Sequence, residues 1–216
     1  GELAWRKPIS SLNLILTSNV WQQDHNGYTH QEPGLLDHIM NKKADNVGVY
    51  LPADANTLIC TYAQCTKTAN KINAIVASKH PTWQWLSMKE AQEHVQKGIS
   101  VWNWASTCGK QEPDIVLVSC GDTVTLEALA CVDFLKTYAP NIKVRFVNIV
   151  NLCTLNKESK DGLTDQKFDS IFTKDKPVIF SFHGYPRLIY GLLYHRNNKN
   201  ILVHGYEEEG AITTPF

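Results

Sequence analysis

Short hydrophobic runs alternate with helical patterns over the first 80 residues of the chain. Apolar runs of four to nine residues predict three buried strands, at Leu12–Val20, Val47–Leu51 and Ile72–Ala77. Between them, Leu35–Asn41 and Asn56–Ala69 carry patterns that predict helices. Strands that alternate with helices favour an α/β fold with a largely parallel sheet.

Residues 80–112 break this alternation. The segment begins near Pro81, stops before Pro113, and holds four of the six tryptophans, Trp83, Trp85, Trp102 and Trp104. Flexible linkers are rich in Gly and Ser and do not carry so many large aromatic rings. The segment is therefore predicted to be a linker that packs on both flanking regions.

The alternation returns in the second half, which predicts a separate α/β unit of about 100 residues. Predicted strands lie at Ile115–Cys120, Val144–Val150, Val178–Phe182 and Ile201–His204. Predicted helices follow the first three of these strands; the second is capped by Thr164, and the third spans Pro186–Tyr194.

The first of these helices begins after Gly121, with Asp122 or Thr123 as the predicted N-cap. Pro140 ends it, because proline has no N–H to continue the helix. One apolar face repeats at the helical spacing of 3.6 residues. Its predicted members are Val124, Ala128, Cys131, Leu135 and Tyr138.

Charge and composition exclude several classes of function. Lys plus Arg equal Asp plus Glu at 21 each, so net charge offers no argument for nucleic-acid or membrane binding. No apolar run reaches the ~18 residues of a membrane span, and the first eight residues lack the hydrophobic stretch of a signal peptide. The six cysteines form no C-x-x-C pair. The cytoplasm is the simplest compartment for such a chain.

The densest polar cluster, residues 22–34, follows the first predicted strand and contains His25, His30 and two glycines. Ligands of open α/β sheets bind beyond the carboxyl ends of the strands, and imidazoles can donate to phosphate or carry protons. A surface loop whose polar groups satisfy one another is an equally good interpretation. A metal site is disfavoured, because the two histidines lack a third ligand at a recognisable spacing.

Two further residues lie at predicted strand ends. Lys79 could point at an anionic ligand, although a solvated lysine in a turn is the commoner case. His183 is more simply a structural histidine of the second unit.

Several motifs, in order along the chain, resemble those of phosphoketolases, which are thiamine-diphosphate enzymes of the transketolase-like class. The most specific are Gln-Asp-His-Asn-Gly-Tyr-Thr-His-Gln-Glu-Pro-Gly at 23–34, Phe-His-Gly-Tyr-Pro at 182–186, and the terminal residues 205–216. The resemblance covers essentially the whole chain. It implies the C-terminal part of a pyrimidine-binding domain at 1–85, a Trp-rich linker at 86–112, and a transketolase C-terminal-like domain at 113–216.

The resemblance also implies a reaction. Phosphoketolases cleave xylulose 5-phosphate or fructose 6-phosphate with inorganic phosphate, giving acetyl phosphate and an aldose phosphate. Residues that match His30 lie near the reacting hydroxyls, and those that match Gln23 and Asn26 shape the same pocket. Residues that match His25 and Lys79 are placed to bind phosphate.

Some of the family's determinants do not occur in this sequence. No Gly-Asp-Gly motif for Mg²⁺ and diphosphate is present, and the glutamate that activates the cofactor lies upstream in the family. The family's site forms between two subunits, so a homodimer is implied. The chain is therefore expected to be an inactive fragment that does not hold thiamine diphosphate or Mg²⁺ tightly. The alternatives are another transketolase-like enzyme and a non-catalytic dimerisation domain.

Overall fold

The computed structural model describes residues 5, 7–17 and 33–207, and its first sheet is parallel with strand order β1-β3-β2. These strands are β1 (Leu12–Leu16), β2 (Val47–Tyr50) and β3 (Ile72–Val76). Helices α1 (Gly34–Met40) and α2 (Ala55–Cys65) connect them. The predicted strands and helices of this region are confirmed within the described residues, with ends that differ by up to four residues.

Alternation along the strands decides which core each side chain joins. Ala74 and Val76 of β3 enter the main core, whereas Ile75 between them packs with Tyr50 and Cys65 on the α2 side. Adjacent residues of a strand point to opposite faces. The first sheet is therefore covered on both faces around β2 and β3.

The tryptophan-rich segment contains two regular elements that the sequence analysis did not predict. Helix α3 (Met88–Lys97) begins with a capping box, in which the side chains of Ser87 and Glu90 each accept from the other's backbone N–H. It ends at Gly98, whose φ of +71° suits glycine. Strand β4 (Ile99–Val101) follows and joins the second sheet. The division at residues 85 and 112 stays a prediction.

The second sheet has the order β4-β6-β5-β7-β8. Strand β4 is antiparallel to β6, and the other pairs are parallel. Its remaining elements match the predictions closely: β5 (Ile115–Cys120), α4 (Asp122–Tyr138), β6 (Val144–Ile149), α5 (Asp165–Phe172), β7 (Val178–Phe182), α6 (Pro186–Leu193) and β8 (Ile201–His204). Thr164 caps α5 by accepting from the N–H of Lys167, as predicted.

Helix α4 differs from its prediction in two respects. Its N-cap is Gly121, which has no side chain to cap with, so the expected cap at Asp122 or Thr123 is wrong. The predicted apolar face is also partly wrong. Val124, Ala128 and Val132 are buried, but Cys131 is exposed and Tyr138 is 71% exposed. The buried residues Val124, Ala128 and Val132 are spaced four residues apart. Because one helical turn holds 3.6 residues, each step of four rotates the buried stripe around the helix, away from Cys131 and Tyr138.

One hydrophobic core joins the two sheets. It includes Val49 and Leu51 from the first region and Val118, Ile149 and Phe182 from the second. The backbone continues the connection, because the N–H of Leu51 donates to the carbonyl of Val150 at 2.8 Å. The carboxyl end of β2 is thereby held against the end of β6.

Candidate functional site

Four of the predicted site residues, Gln23, His25, Asn26 and His30, lie outside the described residues. Both ends of their loop are nevertheless defined. Leu16 of β1 lies opposite Val76 of β3, and its carbonyl accepts from the N–H of Ala77 at 3.0 Å. Residue 17 therefore lies beside the carboxyl end of β3, and Pro33 is the N-cap of α1.

Lys79 follows the same end of β3 and is exposed. The turn that carries it is held by hydrogen bonds. The N–H of Ser78 donates to Oδ2 of Asp122 at 2.8 Å, and the N–H of His80 donates to Oγ of Ser78 at 3.0 Å. Lys79 and the start of the 18–32 segment thus share one edge of the first sheet, where ligands of parallel α/β sheets bind.

His183 lies directly after β7, against the end of β5. A Cβ placed on Gly121 would lie 3.3 Å from the Cβ of His183 and 3.9 Å from a methyl group of Leu51. Burial lowers the pKa of His183 to about 4, so the imidazole is neutral at pH 7. Its 4% exposure and its close packing on Gly121 agree with a structural role.

A buried polar network crosses the second region and was missed by the sequence analysis. His94 Nε2 lies 2.8 Å from Oδ1 of Asn148, and His94 Nδ1 lies 2.7 Å from Oγ of Ser100. The amide of Asn148 in turn donates to the hydroxyls of Ser119 and Thr125. Since the Asn148 oxygen accepts, Nε2 carries the proton and Nδ1 accepts from Ser100. These groups are satisfied and buried, which suits positioning more than catalysis.

A separate cleft of about 660 Å³ opens at the amino ends of β5 and β6. Its lining mixes charges of both signs, including Lys110, Glu112, Arg145 and Lys174. Nη1 of Arg145 already donates to the carbonyls of Ser170 and Ile171 at the end of α5. The cleft lies at the opposite strand ends from Lys79, so it is not part of the predicted site.

Residues 7–17 and 33–207 include His, Cys, Asp and Glu side chains, which are the usual protein ligands of metal ions. No cluster of three or more His, Cys, Asp or Glu in this part of the chain is arranged around a metal site. None of the described helices is long and apolar enough to cross a membrane.

The arrangement of strands and helices places the chain in the transketolase-like class of folds. A solved transketolase from Pichia stipitis superposes with a TM-score of 0.62 at 19% identity, over 92% of this chain and 25% of that one. Transketolase from Leishmania mexicana gives a TM-score of 0.60 at 19% identity, over 85% of this chain and 24% of that one. At such identities the likeness shows the fold alone.

The sequence comparisons are more specific. The family model for D-xylulose 5-phosphate/D-fructose 6-phosphate phosphoketolase matches residues 1–68, and the model for the C-terminal domain of the same family matches residues 79–216. The chain belongs to the phosphoketolase family. It is 59% identical to a probable phosphoketolase of Clostridium acetobutylicum and 54% identical to one of Gloeobacter violaceus. These matches cover 100% and 99% of this chain, which spans 27% of the length of each relative.

Proposed function

We propose that this chain supplies one wall of the active site of a phosphoketolase. The complete enzyme cleaves xylulose 5-phosphate or fructose 6-phosphate with inorganic phosphate, yielding acetyl phosphate and an aldose phosphate. The observation that carries the proposal is the shared sheet edge: the segment with the family's Gln-Asp-His-Asn motif starts beside the carboxyl end of β3, where Lys79 also lies. Membership of the family supplies the reaction class.

Within this wall, the residue types suit anion binding and proton transfer. Lys79 and His25 bind the phosphate group of the sugar or inorganic phosphate, because an ammonium and an imidazole can both donate to its oxygens. His30 moves a proton at the reacting hydroxyls, and Gln23 and Asn26 orient the same hydroxyls. A histidine suits this task because its ordinary pKa lies near neutral pH.

The proposal places the cofactor site in other parts of the longer enzyme. Thiamine diphosphate with Mg²⁺ supplies the carbanion chemistry when bound. This chain alone is proposed to hold neither group tightly and to be inactive. The complete enzyme is proposed to be a cytoplasmic homodimer whose two subunits together form the site.

The test compares variants of a complete phosphoketolase that carries this segment. Acetyl phosphate is measured by the hydroxamate assay with xylulose 5-phosphate and increasing inorganic phosphate. Lys79→Ala is expected to raise the KM for phosphate by at least about tenfold, because one charge-assisted hydrogen bond from the ammonium to phosphate is lost. Lys89→Ala, which removes an exposed lysine of α3, is the matched control.

Three outcomes would contradict the proposal. An unchanged KM for phosphate in Lys79→Ala would remove Lys79 from the site. Turnover with an aldose phosphate as acceptor, but not with phosphate, would favour a two-carbon transferase. Acetyl phosphate made by the 216-residue chain alone, with thiamine diphosphate and Mg²⁺, would show that the cofactor site was wrongly placed.

A further inference from the structure

A single carboxylate connects the two regions next to Lys79. Oδ2 of Asp122 accepts from the backbone N–H of Ser78 at 2.8 Å, and Oδ1 accepts from the N–H of Thr123 at 2.7 Å. Asp122 is the first residue of α4, whereas Ser78 belongs to the turn after β3. The backbone that precedes Lys79 is thus attached to helix α4 of the second region, although Lys79 follows a strand of the first sheet.

The position of Asp122 is itself closely fixed. Gly121 before it has a φ of +122°, a conformation that side-chain-bearing residues rarely adopt. The Gly121 carbonyl accepts from the hydroxyl of Thr125 at 2.5 Å, and a Cβ placed on Gly121 would lie only 3.3 Å from the Cβ of His183. The 17-residue helix α4 adds its partial positive charge at this end, which stabilises a carboxylate.

The consequence for Lys79 follows from the nature of its side chain. A lysine carries its charge on a flexible four-carbon stem, so its backbone must be held if the ammonium is to occupy a small volume. Asp122 holds that backbone one residue away. Both carboxylate oxygens of Asp122 accept from N–H groups and lie at the N-terminus of α4. The positive ends of these dipoles offset part of the negative charge of Asp122.

We propose that Asp122 is a positioning residue that fixes Lys79 for phosphate binding through the N–H of Ser78. The proposal rests on the function proposed above. It assigns to the second region a part in the site that the sequence analysis did not foresee, since Asp122 was predicted only as a helix cap.

The test measures the KM for inorganic phosphate, kcat and Tm in the complete enzyme. Asp122→Ser keeps a polar side chain at the first residue of α4, but this side chain is too short to reach Ser78. It is expected to raise the KM for phosphate about tenfold, because the charge-assisted hydrogen bond from Ser78 is lost. The kcat at saturating phosphate should stay within about twofold of the value for the unsubstituted enzyme. Asp122→Asn keeps one acceptor oxygen and is expected to raise KM about threefold, as a neutral hydrogen bond replaces a charged one.

Asp133→Ser is the matched control, because Asp133 is an exposed carboxylate on the same helix. It is expected to leave KM unchanged. In the Lys79→Ala background, Asp122→Ser should add little further to KM, because the group that it positions is gone. A merely structural Asp122 would instead lower Tm and kcat and leave the two effects on KM additive.

The outcomes separate the two proposals. If Lys79→Ala raises KM and Asp122→Ser does not, the positioning role is wrong and the proposed function stands. If Lys79→Ala itself has no effect on KM, both fail. If Asp122→Ser is too unstable to assay, Asp122→Asn decides: a threefold rise in KM supports the role, and an unchanged KM overturns it.

Discussion

Strand β1 of the first sheet and strand β5 of the second sheet are buried to very different degrees. In β1, Leu12 is 55% exposed and Ile15 is 48% exposed, and β1 pairs with β3 alone among the described residues. In β5, at the centre of the second sheet, Val116 and Val118 are fully buried. Both strands pair in parallel with their neighbours, and parallel sheets are ordinarily covered on both faces. By that standard β5 is covered on both faces, whereas β1 is not.

The difference shows where the stability of the candidate site originates. The described part of the first sheet gains much of its cover from the second region, through the shared core and the hydrogen bond from Leu51 to Val150. The turn at Ser78 is likewise held by Asp122. The candidate site lies at the edge of the first sheet, beside the exposed strand β1. Its geometry therefore depends on contacts with the second region.

The comparison is tested most strongly by truncating one isoleucine in each sheet. Ile149→Ala, at a fully buried position of β6, is expected to lower the free energy of unfolding by about 2–5 kcal/mol, since it removes buried methyl groups and leaves a cavity. Ile15→Ala in β1 should cost less than about 1 kcal/mol, because half of that side chain is already in water. Urea unfolding of both variants gives the two values. Equal losses of stability would show that Ile15 is better buried in solution than its exposed fraction in the structure indicates.

A second test concerns Asp54, the buried carboxylate that binds the tryptophan-rich segment to α2. It caps α2 through the N–H of Thr57 at 2.8 Å, and its other oxygen accepts from the N–H groups of Trp85 and Leu86. Asp54→Ala is expected to cost about 3 kcal/mol, because it removes charge-assisted bonds and leaves N–H groups without acceptors. Thermal unfolding at neutral pH measures the loss.

The matched control for Asp54→Ala is Thr164→Ala. Thr164 also caps a helix, but it accepts from only one exposed N–H, that of Lys167. Its removal should cost about 1 kcal/mol. If the two variants lose the same stability, the bonds from Asp54 to residues 85 and 86 contribute nothing beyond ordinary capping.

Local patterns in the sequence predicted nearly all the strands, because short apolar runs and helical periods are local signals. They missed α3, since only Ala91, His94 and Val95 of its ten residues are buried and aromatic residues surround it. They also could not reveal the hydrogen bond from Ser78 to Asp122, which joins residues 44 positions apart. The roles of His25 and His30 rest on the family resemblance and remain predictions.

A dependence of stability on pH is also expected from two buried histidines of the second region. Burial lowers the pKa of His94 and of His183 to about 4, from 6.5 when unfolded. Between these values the unfolded chain binds protons that the folded chain does not, so stability falls as the pH is lowered from 6.5 towards 4. Each histidine can contribute a slope of up to about 1.4 kcal/mol per pH unit.

Urea unfolding between pH 7 and 5 measures this slope before carboxylates interfere. Glu90 and Asp165 have pKa values lowered from 4.5 and 3.8 by their hydrogen bonds, so their contributions are lost only at lower pH. His94→Gln, whose amide does not titrate, should have a shallower slope than the unsubstituted chain. An unchanged slope would mean that His94 is already protonated or solvated in the folded protein. The buried network around Asn148 would then be more open than the distances in the second sheet indicate.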